Sequence, residues 1–347
     1  MAPENKKPLP ADGPLTVGSA AALPGQTAFG TIFIGTFADG SSLDIPVAVV
    51  RGAAPGPVLY VQAACHGIEV NGIEVIRRLM TGGALAGMRG ALIAVPVANL
   101  VAFNHRMRQT FWDLEDMNRV FPGSAGGGMS QRMAHALYRS AVSKADYLID
   151  LHTGGPGMVT HVRLAMEGKS ADLARVFGTE VLVREPLDAD FRQMRYDGKL
   201  RLVAERKGIV GITPELGAHS SFQEDNIAVG LRGVLNVIRF VGMLDGEMDL
   251  PPRQVVVSYS SKTQVKATAG GVLRTEMLPG MSVRAGQELG RTYDIRKAFA
   301  EVETFVAPVD GIVMSYNDNP VVHFGDRIAS IGVIVEDGPV AVPARWS

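Results

Sequence analysis

The segment from Pro55 to Val97 restricts the fold more than any other part of the chain. An apolar run, Val58 to Ala63, lies between the Pro55-Gly56-Pro57 break and the loop Cys65-His66-Gly67. Its length and lack of charge suit a strand buried on both faces. Asn71 to Met80 then places Ile73, Ile76, Leu79 and Met80 at helical spacing, and Gly90 to Val97 reads as a second buried strand. Strand, helix and strand in that order predict a βαβ crossover, hence an α/β fold with a mixed, largely parallel sheet flanked by helices. Ligands of such sheets collect at the carboxyl ends of the strands. His66 falls there.

Further strands and helices extend the pattern on both sides. Thr31 to Val50 reads as two strands joined by Ala38-Asp39-Gly40, a hairpin connection. Residues 1–30, rich in Pro, Ala and Gly, read as a loosely attached arm or an edge segment. Asn99 to Gly123 is polar, arginine-rich and without clean periodicity, the kind of long irregular segment that is often functional. Ser130 is placed to cap a helix carrying Met133, Ala134, Leu137 and Tyr138 on one face. Tyr147 to Leu151 is a strand running into His152-Thr153-Gly154-Gly155, and Ser170 to Phe177 is a short helix. Ile209 to Thr213 is a strand ending in Pro214-Glu215-Leu216-Gly217, and Ser221 with Glu224 has the pattern of a capping box for a long helix. Asp249-Leu250-Pro251-Pro252 marks the expected boundary between a domain of residues 31–248 and a smaller β-rich domain of residues 249–347. In the latter, Gly271-Val272-Leu273 with Val283, Gly286 and Leu289 is echoed by Gly311-Ile312-Val313 with Val322, Gly325 and Ile328. This weak repeat of two hairpin-like units predicts a small barrel or sandwich.

Composition narrows the class of partner. With 34 basic and 35 acidic side chains among 347 residues, no overall field points to nucleic acid or an anionic membrane. The N-terminal residues lack a signal-length apolar core, and no segment approaches the roughly 18 apolar residues of a spanning helix. A single cysteine suits a reducing compartment, so a soluble, cytoplasmic protein is expected.

His66 and Glu69, three apart at one strand end, have a metal-ligand spacing, and His152 ends another strand. Two histidines and one carboxylate form a set that binds catalytic zinc and leaves a fourth position open for water. Asp150 lies on the same side of an extended segment as His152 and is placed to hydrogen-bond its imidazole; a strand-end carboxylate bonded to backbone is the other reading. Cys65 should point away from the His66 side and serve packing.

Four ordered motifs, His66-Gly67-Ile68-Glu69, Asn118-Arg119-Val120-Phe121-Pro122-Gly123, Asp150-Leu151-His152 and Glu215-Leu216-Gly217, resemble those of the succinylglutamate desuccinylase/aspartoacylase family, relatives of the zinc carboxypeptidases. The resemblance spans residues 45 to 245 or so. It implies one Zn2+ per chain held by His66, Glu69 and His152, with Glu215 as general base for the water. It further implies that Asn118 and Arg119 hold a substrate carboxylate, which an arginine fork suits. Arg108 falls where relatives place an arginine that stabilises the oxyanion, and Arg106 competes for that role. Between His152 and Glu215, Arg163, Arg192, Arg195, Tyr196 and Arg201 compete as further substrate ligands.

The function implied is hydrolysis of the amide of a small N-acyl amino acid or related carboxylate. A zinc carboxypeptidase acting on short peptides and a noncatalytic zinc-containing binding module are the alternatives; the latter needs a fourth protein ligand. The C-terminal repeat resembles biotinyl and lipoyl carrier hairpins but offers no lysine at the tip around Asp310 to Asn317, so it reads as a lid or a module for homo-oligomer formation. By the family resemblance, in which C-terminal residues close the pocket, Tyr293 or Tyr316 is expected to lean over the site.

Overall fold

A computed structural model describes residues 12–164, 168–184, 196–258 and 260–346. The described residues begin with a short hairpin, β1 (Leu15–Val17) and β2 (Ala20–Ala22), followed by β3 (Thr27–Thr36), β4 (Ser42–Arg51) and β5 (Ala54–Ala63). Helix α1 (Asn71–Thr81) leads to β6 (Arg89–Val95), then α2 (Leu100–Asn104), α3 (Met129–Ser140), β7 (Tyr147–Gly154) and β8 (His161–Leu164). Next come α4 (Lys169–Phe177), β9 (Val181–Arg184), α5 (Leu200–Glu205), β10 (Val210–Ile212), β11 (Pro214–Ala218) and α6 (Glu224–Phe240). The remainder is β12 (Arg253–Ser258), β13 (Gln264–Lys266), β14 (Gly271–Arg274), β15 (Ser282–Val283), β16 (Glu288–Asp294), β17 (Ala300–Val306), β18 (Gly311–Tyr316), β19 (Val321–Val322) and β20 (Arg327–Pro339).

The expected crossover is present: β5 and β6 are parallel neighbours joined through α1. Parallel pairing continues from β5 to β7 and from β7 to β11, while β3, β4 and β20 add antiparallel flanks. The large sheet runs β15-β18-β20-β12-β9-β8-β11-β7-β5-β6-β4-β3. Alternate residues of β5 enter two cores on opposite faces, Val58 and Tyr60 with α3 and the β1–β2 hairpin, Leu59, Val61 and Ala63 with α1, α4 and α6. Burial on both faces is why this strand is continuously apolar, each large side chain contributing about 1.5–3 kcal/mol. Leu15, Val17, Ala20 and Ala22 are likewise buried, so the first hairpin packs into the core.

The sheet continues across Asp249-Leu250-Pro251-Pro252, because β12 pairs in parallel with β9 and carries β20 on its other edge. A separate four-stranded sheet, β17-β16-β14-β19, faces β15, β18, β20 and β13 across a small core of Leu273, Val283, Phe305, Val313 and Ile331. The two repeat units thus form a sandwich.

Two expected caps are replaced by longer-range partners. Gly128, not Ser130, is the N-cap of α3, and Asp113 accepts the Ser130 N–H at 2.7 Å. Helix α6 begins after Gln223 without a capping box. Instead, Gln223 donates its N–H to Asn71 Oδ1 at 3.0 Å, tying together the first turns of α1 and α6. A side chain 17 or 152 residues away satisfies helix-end donors as well as a local one does.

Candidate active site

Strand β5 ends where Ala64 turns to φ 49°, in the left-handed region, with its carbonyl accepting the Asn99 N–H at 3.0 Å. Such a conformation costs about 1–3 kcal/mol and is tolerated where surrounding contacts enforce it. It buries Cys65 and opens the loop that carries His66 and Glu69, both 2 % exposed. Gly67 passes so close to α2 that a Cβ there would lie 2.1 Å from the Ala102 carbonyl carbon. On the neighbouring strand, His152 lies within β7, which extends to Gly154.

These three side chains converge, with one ligand-type atom from each lying within 4.8 Å of the others. Glu69 sits between the imidazoles, Oε1 at 2.7 Å from His66 Nδ1 and Oε2 at 2.8 Å from His152 Nδ1. The far nitrogen of each ring faces another carboxylate: His66 Nε2 is 3.0 Å from Asp116 Oδ1, and His152 Nε2 is 3.0 Å from Asp150 Oδ2. Asp150 is fixed in turn by Gln62 Nε2 at 2.8 Å, and Gln62 by the Tyr60 hydroxyl at 2.7 Å. The placement of Asp150 beside the His152 imidazole follows from the period-two spacing of β7.

The electrostatics suit a cation at the centre. Burial disfavours both imidazolium forms, yet Glu69 and Asp116 together hold His66 above its ordinary pKa. His152 is likewise disfavoured by burial and pushed well above its ordinary pKa by Asp150 and Glu69. Burial raises and the two histidines more strongly lower the pKa of Glu69, which ends well below the usual carboxylate range. A buried site that draws protons onto two imidazoles is one in which a divalent ion can replace them. The donor set of two Nδ1 atoms, one carboxylate and anchored outer nitrogens fits a metal centre. Thr153 Oγ1, buried beside it, has no hydrogen-bond partner among the described residues. No further His, Cys, Asp or Glu joins the trio among those residues.

Glu69, His66 and His152 open into a cavity of about 140 Å³ that is also lined by Arg108, Asn118, Arg119, Arg163, Lys199 and Glu215. Glu215 is on β11, directly beside His152 of β7. Its carboxylate is buried, which raises its pKa, but Arg163 and His152 outweigh this and keep it below its ordinary value. Arg163 Nε donates to Glu215 Oε1 at 3.1 Å. Arg108 donates to Glu69 Oε1 at 3.1 Å and to Asp116 Oδ2 at 3.2 Å. Asn118 accepts the Leu200 N–H at 2.9 Å, which orients its amide so that Nδ2 lies 3.0 Å from His152 Nε2. Arg119 donates to the Asn118 carbonyl at 3.0 Å.

Of the two arginines competing upstream, Arg108 lines the cavity, whereas Arg106 is exposed in a turn at φ 52°. Among those competing between His152 and Glu215, Arg163 is at the cavity, and Arg201 is buried on α5 with Glu205 at 2.9 Å. Arg192, Arg195 and the Tyr196 side chain lie outside the described residues. Tyr316 lines two neighbouring cavities and Tyr293 a third, and neither lines the one at the histidines. Asp116 and Lys199 belong to no motif in the sequence; the signal for Asp116 is its place two residues before Asn118, inside the irregular arginine-rich segment.

Residues 55–241 match the family described as Succinylglutamate desuccinylase/Aspartoacylase catalytic domain. The chain is 28% identical over 308 residues to an N-alpha-acetyl-L-2,4-diaminobutyric acid deacetylase from Halomonas elongata, covering 84% of this chain and 86% of that protein. It is similar to the product-bound structure of the ectoine utilization protein EutE (DoeB) from Ruegeria pomeroyi, with a TM-score of 0.77, 26% identity, and coverage of 88% of this chain and 95% of that one. A succinylglutamate desuccinylase/aspartoacylase from Rhodobacter sphaeroides shares the fold at a TM-score of 0.76 and 24% identity, over 93% and 96% of the two chains.

Proposed function

We propose that this chain, which belongs to the succinylglutamate desuccinylase/aspartoacylase family, is a zinc-dependent amidohydrolase that removes the acyl group from a small N-acyl amino acid or related carboxylate. The observation that carries this reading is the convergence of His66, Glu69, His152 and Glu215 with Arg108, Arg119 and Arg163 around one small cavity. His66, Glu69 and His152 would hold one Zn2+, which when bound supplies Lewis-acid activation of water and of the scissile carbonyl.

The chain's own groups do the rest. Glu215, kept ionised by Arg163, takes the proton of the attacking water on its carboxylate and returns it to the amide nitrogen as the amine leaves. Arg108 faces the developing oxyanion with its guanidinium. Arg119 and the Nδ2 of Asn118 bind the substrate carboxylate. Asp150 and Asp116 hold the outer nitrogens of His152 and His66, so that both rings present Nδ1 inward. In this reading residues 31–248 are the catalytic unit and 249–347 the flanking one. Among the described residues no helix is long and apolar enough to cross a membrane, and a cytoplasmic location is part of the proposal.

The test is metal content together with hydrolysis of a panel of N-acetyl and N-succinyl amino acids. The similarity to the Halomonas elongata deacetylase makes N-acetylated diamino acids the first to try. Glu215→Gln is expected to retain metal and lose about 10²–10⁴-fold in kcat. Full activity after complete zinc removal, or in Glu215→Gln, would sink the proposal.

A further inference from the structure

Beside the catalytic cavity, on the far side of the segment Gly154 to Thr160, lies a larger one of about 450 Å³. Met158 lines both, so its side chain is the wall between them. The larger cavity holds charges of both signs that are not spent on each other. Arg232 comes from α6, Glu180 from the residue before β9, and Asp318 from the loop after β18. Among the described residues none of the three makes an ion pair.

Arg232 and Gln223 are half-buried and supply the donors, whereas the acids are exposed. Arg232 Nε is buried without a hydrogen-bond partner, and its guanidinium makes only a long contact, 3.5 Å, from Nη2 to the Gly178 carbonyl. A buried guanidinium N–H left without an acceptor is costly, of order 1–3 kcal/mol, unless a ligand or water meets it. Gln223 adds to this. Its Oε1 accepts the Ala218 N–H at 3.0 Å and the Asn226 Nδ2 at 2.8 Å, which fixes the amide and leaves Nε2 without a partner among the described residues. Glu180 and Asp318 are exposed. Val181, Val229, Pro279 and the Tyr316 ring supply apolar wall, alongside the polar Thr160, Thr179 and Asn226.

We propose that this cavity is a second binding site, separate from the proposed metal site, for a small amino acid with an apolar side chain, its carboxylate on Arg232 and Gln223 and its ammonium toward Glu180 and Asp318. The pattern of charge decides the class. A phosphate or dicarboxylate would meet the exposed acids, a simple amine would leave Arg232 unanswered, and a zwitterion satisfies both ends. The proposal does not depend on the chemistry at the proposed metal site, because its readout is binding.

Titration calorimetry on the full-length, metal-loaded protein tests it with L-leucine and with its two halves, 4-methylpentanoate, which lacks the ammonium, and isoamylamine, which lacks the carboxylate. L-Leucine is expected to bind, and each half to bind about tenfold or more weakly, the loss of one charge-assisted contact. Arg232→Gln is expected to weaken L-leucine by a similar factor, while Arg119→Ala, in the catalytic cavity, leaves it unchanged. Should Arg232→Gln not fold, the exposed changes Glu180→Gln and Asp318→Asn carry the same expectation. Absence of L-leucine binding, equal binding of 4-methylpentanoate, no effect of the Arg232→Gln, Glu180→Gln or Asp318→Asn variants, or loss of binding in Arg119→Ala would each overturn the assignment.

Discussion

Asp150→Asn should weaken metal binding even though it preserves side-chain shape, and the reason is a count of donors. Asp150 is fully buried and accepts from two directions, Oδ1 from Gln62 Nε2 at 2.8 Å and Oδ2 from His152 Nε2 at 3.0 Å. Gln62 cannot easily turn over, because its Oε1 accepts the Tyr60 hydroxyl. An asparagine has one oxygen and one NH2 group, so it can answer only one of the two donors and opposes the other. If Gln62 takes the oxygen, His152 loses the partner that fixes its tautomer and ring orientation. Outer partners of this kind are typically worth about 10–100-fold in metal affinity or activity, or about 1.4–2.7 kcal/mol. The unsatisfied buried donor adds a stability cost of about 1–3 kcal/mol. Gln62→Leu in the same chain removes the competing donor and frees the asparagine oxygen for His152. Zinc affinity, measured by competition with a chelator, should therefore fall in Asp150→Asn and recover in part in Gln62→Leu/Asp150→Asn, a coupling that a double-mutant cycle isolates. Wild-type affinity in Asp150→Asn, or no recovery in the double variant, would refute the argument.

Other consequences can be checked more simply. Gly67→Ala places a Cβ against the α2 backbone, and a lowered thermal midpoint is expected from a cost of about 3 kcal/mol or more. In the metal-free protein, His66 and His152 have folded-state pKa values raised above the unfolded value; their stabilisation is fully present below about pH 6.5 and is lost as pH rises through the folded-state values. The same protons must leave when zinc binds, so zinc affinity should fall with acidity, and calorimetry in buffers of different ionisation enthalpy should show proton release. Cys65 is buried with its thiol pushed well up by burial and the nearby carboxylates, so a thiol reagent should modify it only as fast as the protein unfolds.

Much of this molecule was legible before any coordinates. The β5–α1–β6 crossover is written in an apolar run and a helical spacing, both of which report local geometry that every residue in the segment shares. The convergence of His66, Glu69 and His152 was legible because two of them are three residues apart and the third lies near the carboxyl end of a strand of the same sheet. Elsewhere, local patterns misled. Ser130 and Ser221 with Glu224 have the spacing of caps, but Asp113 and Asn71 supply contacts to those helix ends.

By itself the sequence determined what repeats: which segments are strands, which face of a helix is buried, and which strand ends carry ligand-type side chains. Tertiary structure alone decided the single polar contacts that tune the site. Arg163 beside Glu215, Asp116 beside His66, and the Arg232 Nε without an acceptor among the described residues depend on segments 50 or more residues apart, or on a cavity lined by several distant segments. Such contacts have no period to read. They exist only once burial has brought the segments together and each polar group has either found a partner or been left without one.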